Sequence, residues 1–316
     1  MDIHVIATGG TIASTAAGAS AGAAPELSGA ELLDSVPEVG SEANVTVESL
    51  SSSPGFDMSP AVCARIAERI ADERGSVDGF VVTHGTDTLA ETARYLDLTC
   101  DAPVVVTGAQ RRPDEAGSDG PTNLHTAVRA AGHERLESGT FVAFDEKLHA
   151  ASTVRKSHTC ALDTFRSPES GPIARFTRRR THWYRDPTGA DATLPVPKPG
   201  EHPTVPLVVS ASGVDATAFV DAERRADGIV VAGTGLGNTT AALGTAVADA
   251  SCPVVVTSRC HAGPTEPVYG TPGGAATLAE HDHVRFAHGT PWATRIELQL
   301  AIAGGRVDER FDSFTQ

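Results

Sequence analysis

The chain has 316 residues, 40% of them apolar and 21% charged, and a formal net charge of −15. That length allows one large domain or two smaller ones, and the composition supports a packed core rather than global disorder. The acidic balance repels phosphate and argues against nucleic acid as the main partner, while no apolar run reaches the ~20 residues of a membrane span.

The amino terminus, MDIHVIATGG, has no basic leader region, so a cytoplasmic protein without a signal peptide is expected. Cysteines 63, 100, 160, 252 and 260 include no CxxC pair, which points away from a disulfide framework or a thiolate zinc site. Only Lys147, Lys156 and Lys198 are lysines among 25 basic residues. Acid excess with so little lysine fits a halophilic protein, kept soluble where concentrated salt screens self-repulsion.

In chain order, strand and helix alternate. IHVIAT (3–8) reads as a buried strand ending in Gly9-Gly10, followed by a helix over Pro25 to Val36 and a strand at 44–50. Ser59-Pro60 has the form of an N-cap followed by Pro at N1, and Val62, Ile66 and Ile70 share one helical face. DGFVVTH (78–84) is a strand, and Thr88 to Leu98 is a helix whose Thr88-x-x-Glu91 has capping-box spacing. Strand 103–108, helix Asn123 to Arg135 and strand 140–144 complete a first α/β region. Six prolines between 186 and 206 mark a linker. Beyond it, strands at 206–211, 227–233 and 253–258 enclose helices Asp215 to Ala222 and Thr239 to Ala250, and a helix from Pro291 to Ala303 closes the pattern. The expectation is an α/β protein: a larger parallel-sheet catalytic domain over 1–190, a linker over 191–205 and a smaller α/β domain over 206–316.

Ligands of open α/β sheets sit at the carboxyl ends of strands. There the chain presents Gly9-Gly10-Thr11, His84-Gly85-Thr86-Asp87-Thr88 and Gly108-Ala109-Gln110-Arg111. Two threonine hydroxyls beside glycine N–H groups suggest acyl transfer, one attacking while the N–H groups hold the oxyanion. A threonine needs a base, and lysine can serve where burial and nearby cations ease its deprotonation. Lys156 is the candidate, because arginine cannot take that role. His281, Asp282, His283 and His288 read as exposed polar residues, so no metal site and no cofactor is expected. Gly233-Thr234-Gly235-Leu236-Gly237-Asn238 departs from the dinucleotide fingerprint and reads as a backbone turn. The arginines between 175 and 185 read as a local basic surface.

These residues carry a resemblance to the bacterial-type L-asparaginases. ATGGTIAST (7–15) and VVTHGTDTLAETA (81–93) resemble the two signatures of that family, and GAQRRP (108–113), DGPTNL (119–124), Lys156 and DGIVVAGTGLGN (227–238) follow in its order. The resemblance implies a two-domain α/β fold, a homodimer or homotetramer with sites near the subunit interface, and hydrolysis of L-asparagine without metal or cofactor. It also implies roles. Thr11 matches the nucleophile, and Thr86 and Lys156 form the second proton-handling group. Asp87 holds the substrate ammonium, and the backbone of Ala109 faces the amide. Asn238 and Glu266 match residues that reach a neighbouring subunit's site.

The chain departs from the family at two places. The loop from Ser14 to Ala24 has no tyrosine to activate Thr11, leaving Ser14, Thr15 or Ser20 as relays through water. Gly55-Phe56 stands where the family has Ser-Gln to grip the α-carboxylate, leaving the Gly55 N–H for that task. Two other readings remain open: an amide-binding protein with little turnover, and a component of a tRNA amidotransferase. The latter is disfavoured because its extra N-terminal domain would precede a signature that here begins at residue 7.

Overall fold

The computed structural model describes residues 1–16, 23–25, 27–36, 39–40, 43–189 and 194–311. The chain divides into two compact units, Met1–Thr193 and Leu194–Gln316.

The first unit is built on an eight-stranded sheet. Its parallel part comprises β1 (Asp2–Gly9), β4 (Asn44–Ser53), β5 (Gly79–Thr83), β6 (Pro103–Thr107) and β7 (Gly139–Phe144), in the order β7-β6-β5-β1-β4. Val5 of β1 lies opposite Val47 on one side and Val81 on the other. The parallel expectation stops at β7. There β8 (Lys147–Ala150), β11 (Ala174–Phe176) and β12 (Thr181–Trp183) add antiparallel neighbours. These strands are short and interrupted by charged residues, so they lack the apolar run that announces a buried parallel strand.

Both sheet faces are covered. Ile3, Val5, Val81, Val105 and Phe141 join Leu124, Ala127 and Val128 of a helix over Gly120–Ala131 in one core. The alternate residues Ile6, Phe80, Val82, Val104 and Val106 are equally buried. Burial on both faces explains why these strands read as continuous apolar runs rather than alternating ones.

Several local expectations fail for identifiable reasons. The helix expected over Pro25 to Val36 is shorter, α1 (Gly29–Asp34), because Ala23–Pro25 forms β3 and pairs with β2 (Ser14–Ala16). Its start is set by a capping box in which the Ser28 hydroxyl accepts from the Glu31 N–H and the Glu31 carboxylate accepts from the Ser28 N–H. Helix α2 (Pro60–Glu73) does begin at Pro60, but the Ser59 side chain makes no cap bond. Thr88 precedes α3 (Leu89–Thr99) without capping it; its hydroxyl donates instead to the Gly55 carbonyl at 2.6 Å. Helix α4 (Gly120–Ala131) starts three residues earlier than expected, with Pro121 in its first turn.

The second unit holds a four-stranded parallel sheet, β13 (Leu207–Val209), β14 (Ile229–Gly233), β15 (Val254–Ser258) and β16 (Val284–Phe286). Alternation along these strands separates two cores. Ile229, Val231, Val254 and Val256 face Phe219 of α5 (Thr217–Glu223) and Leu243 and Val247 of α6 (Ala241–Ala248). Val230 and Val255 face Leu298 and Ala301 of a helix over Pro291–Gly304. No helix among the described residues is long and apolar enough to cross a membrane.

Candidate functional site

The carboxyl ends of β4, β1, β5 and β6, consecutive neighbours in the sheet, carry the glycine turns on which the site is built. Three of these turns touch through glycine. A Cβ on Gly10 would stand 2.3 Å from the Gly85 N, and one on Gly85 would stand 2.4 Å from the Gly55 Cα. Gly10 also has φ of 82°, in the region that favours glycine. These glycines therefore let three backbone turns stack on one another. A fourth, Gly108, lies against the His84 carbonyl, 2.4 Å from where its Cβ would be.

On this backbone platform sits a cavity of about 280 Å³. Gly10, Thr11, Ser14, Gly55, Phe56, Gly85, Thr86 and Asp87 line it, together with Pro54, Gln110, Arg112 and Glu115. The Thr11 hydroxyl has no hydrogen-bond partner among the described residues, which leaves it free for a ligand. Thr86 is buried, and its hydroxyl donates to Gln110 Oε1 at 3.2 Å. Lys156 enters from a two-residue strand, β9 (Arg155–Lys156), paired with β10 (Phe165–Arg166). Its Nζ donates to Thr86 Oγ1 at 2.9 Å and to Asp87 Oδ1 at 2.8 Å. The cation expected beside Lys156 is absent from these contacts; its partners are a hydroxyl and a carboxylate. The Lys156 side chain is 18% exposed and that of Asp87 54%, so Asp87 can pair with a second cation from the cavity side.

The remaining expected residues fall in different places. Gly55 is buried, and Phe56 is 76% exposed at the cavity rim. Ala109 is fully buried behind the lining, where Gln110 takes its place. Asn238 and Glu266 belong to the second unit. Asn238 Oδ1 accepts from the Ala275 N–H at 3.1 Å, and the Glu266 N–H donates to the Leu236 carbonyl. Of the relay candidates, the Ser14 hydroxyl is committed to the Gly10 carbonyl at 2.8 Å, and Ser20 lies outside the described residues. The three tyrosines offer no replacement within the cavity lining; Tyr95 is buried, its hydroxyl without a partner among the described residues, and burial raises its pKa.

Gln110, which stands in the strand-end turn named above, and Arg112 and Glu115 carry no individual role in the sequence reading. Their signal was the dense polar run GAQRRPDE after a strand. The run is held by Asp119, which precedes α4 but does not cap it: its carboxylate accepts from the N–H groups of Gln110 and Arg111 and from Asn123 Nδ2. Asn123 Nδ2 also donates to the Gly108 carbonyl at 3.0 Å. Behind the platform, His84 is fully buried between the Gly85 carbonyl and the Thr92 hydroxyl, and desolvation pushes its pKa down to about 4. Among the described residues no group of three His, Cys, Asp or Glu side chains could hold a metal ion.

A hydroxyl without a partner among the described residues, sharing a cavity with a hydroxyl–lysine–carboxylate cluster on a glycine platform, is suited to acyl transfer. Family models described as "Asparaginase, N-terminal" and "Glutaminase/Asparaginase C-terminal domain" match residues 2–189 and 204–313. A probable periplasmic L-asparaginase of Haemophilus influenzae is 34% identical, over 95% of this chain and 88% of its own. L-asparaginase 2 of Escherichia coli is 35% identical, over the same shares of the two chains, 95% and 88%. A crystal structure of a probable cytoplasmic L-asparaginase from Campylobacter jejuni superposes with a TM-score of 0.85 at 29% identity, covering 95% of this chain and 94% of the other. With both domain models matched in order over most of its length, this chain belongs to the asparaginase family.

Proposed function

We propose that the chain hydrolyses the side-chain amide of L-asparagine, releasing L-aspartate and ammonia through an acyl-enzyme on Thr11. The observation that carries this reading is the Thr11 hydroxyl, without a partner among the described residues, sharing a cavity with Thr86, whose hydroxyl lies between Lys156 and Gln110. Thr11 Oγ attacks the amide carbon and its proton passes to the departing nitrogen, which leaves as ammonia. Water then attacks the ester carbonyl. Its proton passes through the Thr86 hydroxyl, held by Lys156, to Thr11 Oγ as the ester C–O bond breaks, which restores the threonine. The backbone near Gly10 and Ala109 stabilises the oxyanion; the Ala109 N–H has no hydrogen-bond partner among the described residues, which supports this role. Asp87 pairs with the substrate α-ammonium.

The reading includes a cytoplasmic setting, supported by five free cysteines, and a homodimer or homotetramer in which Asn238 and Glu266 reach a neighbouring site. Ammonia release from L-asparagine and L-glutamine by purified protein, in low and multimolar salt, tests the reaction. Release from asparagine that Thr11→Ala abolishes is expected. Binding of asparagine that raises the melting temperature without ammonia release at any salt would overturn it in favour of an amide-binding protein.

A further inference from the structure

An amino-acid amide brings two charges into the cavity, an α-ammonium and an α-carboxylate. Asp87 answers the first. For the second, the turn at Pro54-Gly55-Phe56 offers no polar side chain, and Phe56 presents an exposed ring to the rim. Among the described residues that line the cavity, Arg112 is the only cation. Lys156, behind the lining, is already held by Thr86 and Asp87.

Arg112 is not a loose surface side chain. Its Nε donates to Asp114 Oδ1 at 2.9 Å, its Nη1 meets Glu115 Oε1 at 2.9 Å, and its N–H donates to Glu115 Oε2 at 3.3 Å. The side chain is 27% exposed, and its Nη2 makes no hydrogen bond to a described residue. Two edges of the guanidinium are thus spent on fixing its direction, and one donor group remains. A planar guanidinium held this way is suited to a carboxylate, because its charge is permanent and its orientation is set before the ligand arrives.

We propose that Arg112, steered by Asp114 and Glu115, binds the α-carboxylate of the substrate and so restores to this chain the selectivity for α-amino acids that Gly55-Phe56 does not supply. The assignment rests on the reading of the cavity as an asparagine-hydrolysing site. It makes Arg112 a specificity residue rather than a participant in bond breaking.

The test compares L-asparagine with 3-aminopropanamide, the same molecule without its α-carboxylate, using wild type, Arg112→Met and Arg112→Lys. In Arg112→Met, kcat/KM for asparagine is expected to fall about tenfold or more beyond any fall for 3-aminopropanamide, through KM rather than kcat, as loss of a charge-assisted hydrogen bond implies. Arg112→Lys should recover part of that discrimination. Where 3-aminopropanamide turns over too slowly to read, competition by L-aspartate and by β-alanine gives the same contrast. Equal losses on both compounds would reduce Arg112 to a clip of its own loop and overturn the proposal. An unchanged KM for asparagine would overturn it too, assigning the carboxylate to the backbone of residues 54–56. Those results differ from failure of the functional reading, in which the wild type itself releases no ammonia from asparagine.

Discussion

Two glycine-rich turns stand at the carboxyl ends of parallel strands in the two units, and they use their polar groups in opposite ways. In the second unit, Gly233 to Asn238 closes on itself. The Thr234 N–H donates to the Asn238 carbonyl at 2.7 Å, the Asn238 N–H returns to the Thr234 carbonyl at 2.9 Å, and the Thr234 hydroxyl also donates to Asn238 O. In the first unit, Gly9-Gly10-Thr11 leans on Gly85 and leaves the Thr11 hydroxyl without a partner among the described residues, beside a cavity. Glycine and threonine at a strand end are common to both. What separates a turn from a site is whether the hydroxyl is consumed by its own backbone.

Removing the free hydroxyl puts this contrast under the greatest strain. Thr11→Ala is expected to lower kcat for asparagine by about a thousandfold or more, as loss of a nucleophile does, with the melting temperature nearly unchanged because that hydroxyl has no partner among the described residues. Turnover near wild type would place the nucleophile elsewhere. Next in size are Lys156→Met and Thr86→Val, each expected to cut kcat by about 100-fold if they handle protons. Near-normal kcat in both would refute that assignment.

The platform beneath the site can be tested through stability. Gly10→Ala forces a Cβ onto the Gly85 backbone at positive φ, and about 3 kcal/mol of destabilisation is expected from overpacking and strain together. Gly235→Ala is the control in the closed turn: φ is 52° but nothing stands within 4 Å of the added Cβ, so about 1 kcal/mol is expected. Denaturant unfolding measures both, and equal losses would mean that stacking of the turns contributes nothing.

Acid should separate the regions too. Desolvation holds the native His84 down to about 4, and His149 likewise, against an unfolded value near 6.5. The unfolded chain therefore takes up protons that the native first unit refuses. Stability is full above about 6.5 and is lost as pH falls through about 4. Unfolding free energy measured across that range should slope less in His84→Gln, and an unaltered slope would count against the buried neutral imidazole. Smallest is Asn238→Ala, expected to cost about 1 kcal/mol for the lost bond to the Ala275 N–H. A rise in KM alongside it would support the interface role that the resemblance implies.

Much of this molecule is legible in its residues. Strands such as PVVVTG and DGIVVAG announce themselves because both sheet faces are buried, so nearly every residue along them must be apolar. The chemistry at strand ends is readable because small residues and hydroxyls interrupt those runs, and the near absence of lysine makes Lys156 conspicuous. Capping is less legible. Thr88 and Asp119 have cap-like positions, yet each side chain bonds elsewhere, Thr88 to Gly55 and Asp119 to the Gln110-Arg111 turn. A local pattern records what a side chain can reach along the chain, and these bonds are made across it.

The alternation of strand and helix, the buried runs and the family can all be read from the residues, because they depend on residue type and spacing within short windows. Which groups meet is settled only by folding. Lys156 lies 70 residues beyond Thr86, yet its ammonium is 2.9 Å from that hydroxyl. Gly10, Gly55 and Gly85 are stacked only because β1, β4 and β5 are sheet neighbours. Arg112 and Glu115 join the cavity from a loop whose first residues, Gln110 and Arg111, are held by Asp119. Such contacts depend on long-range closure of the sheet, and no short window of residues encodes it.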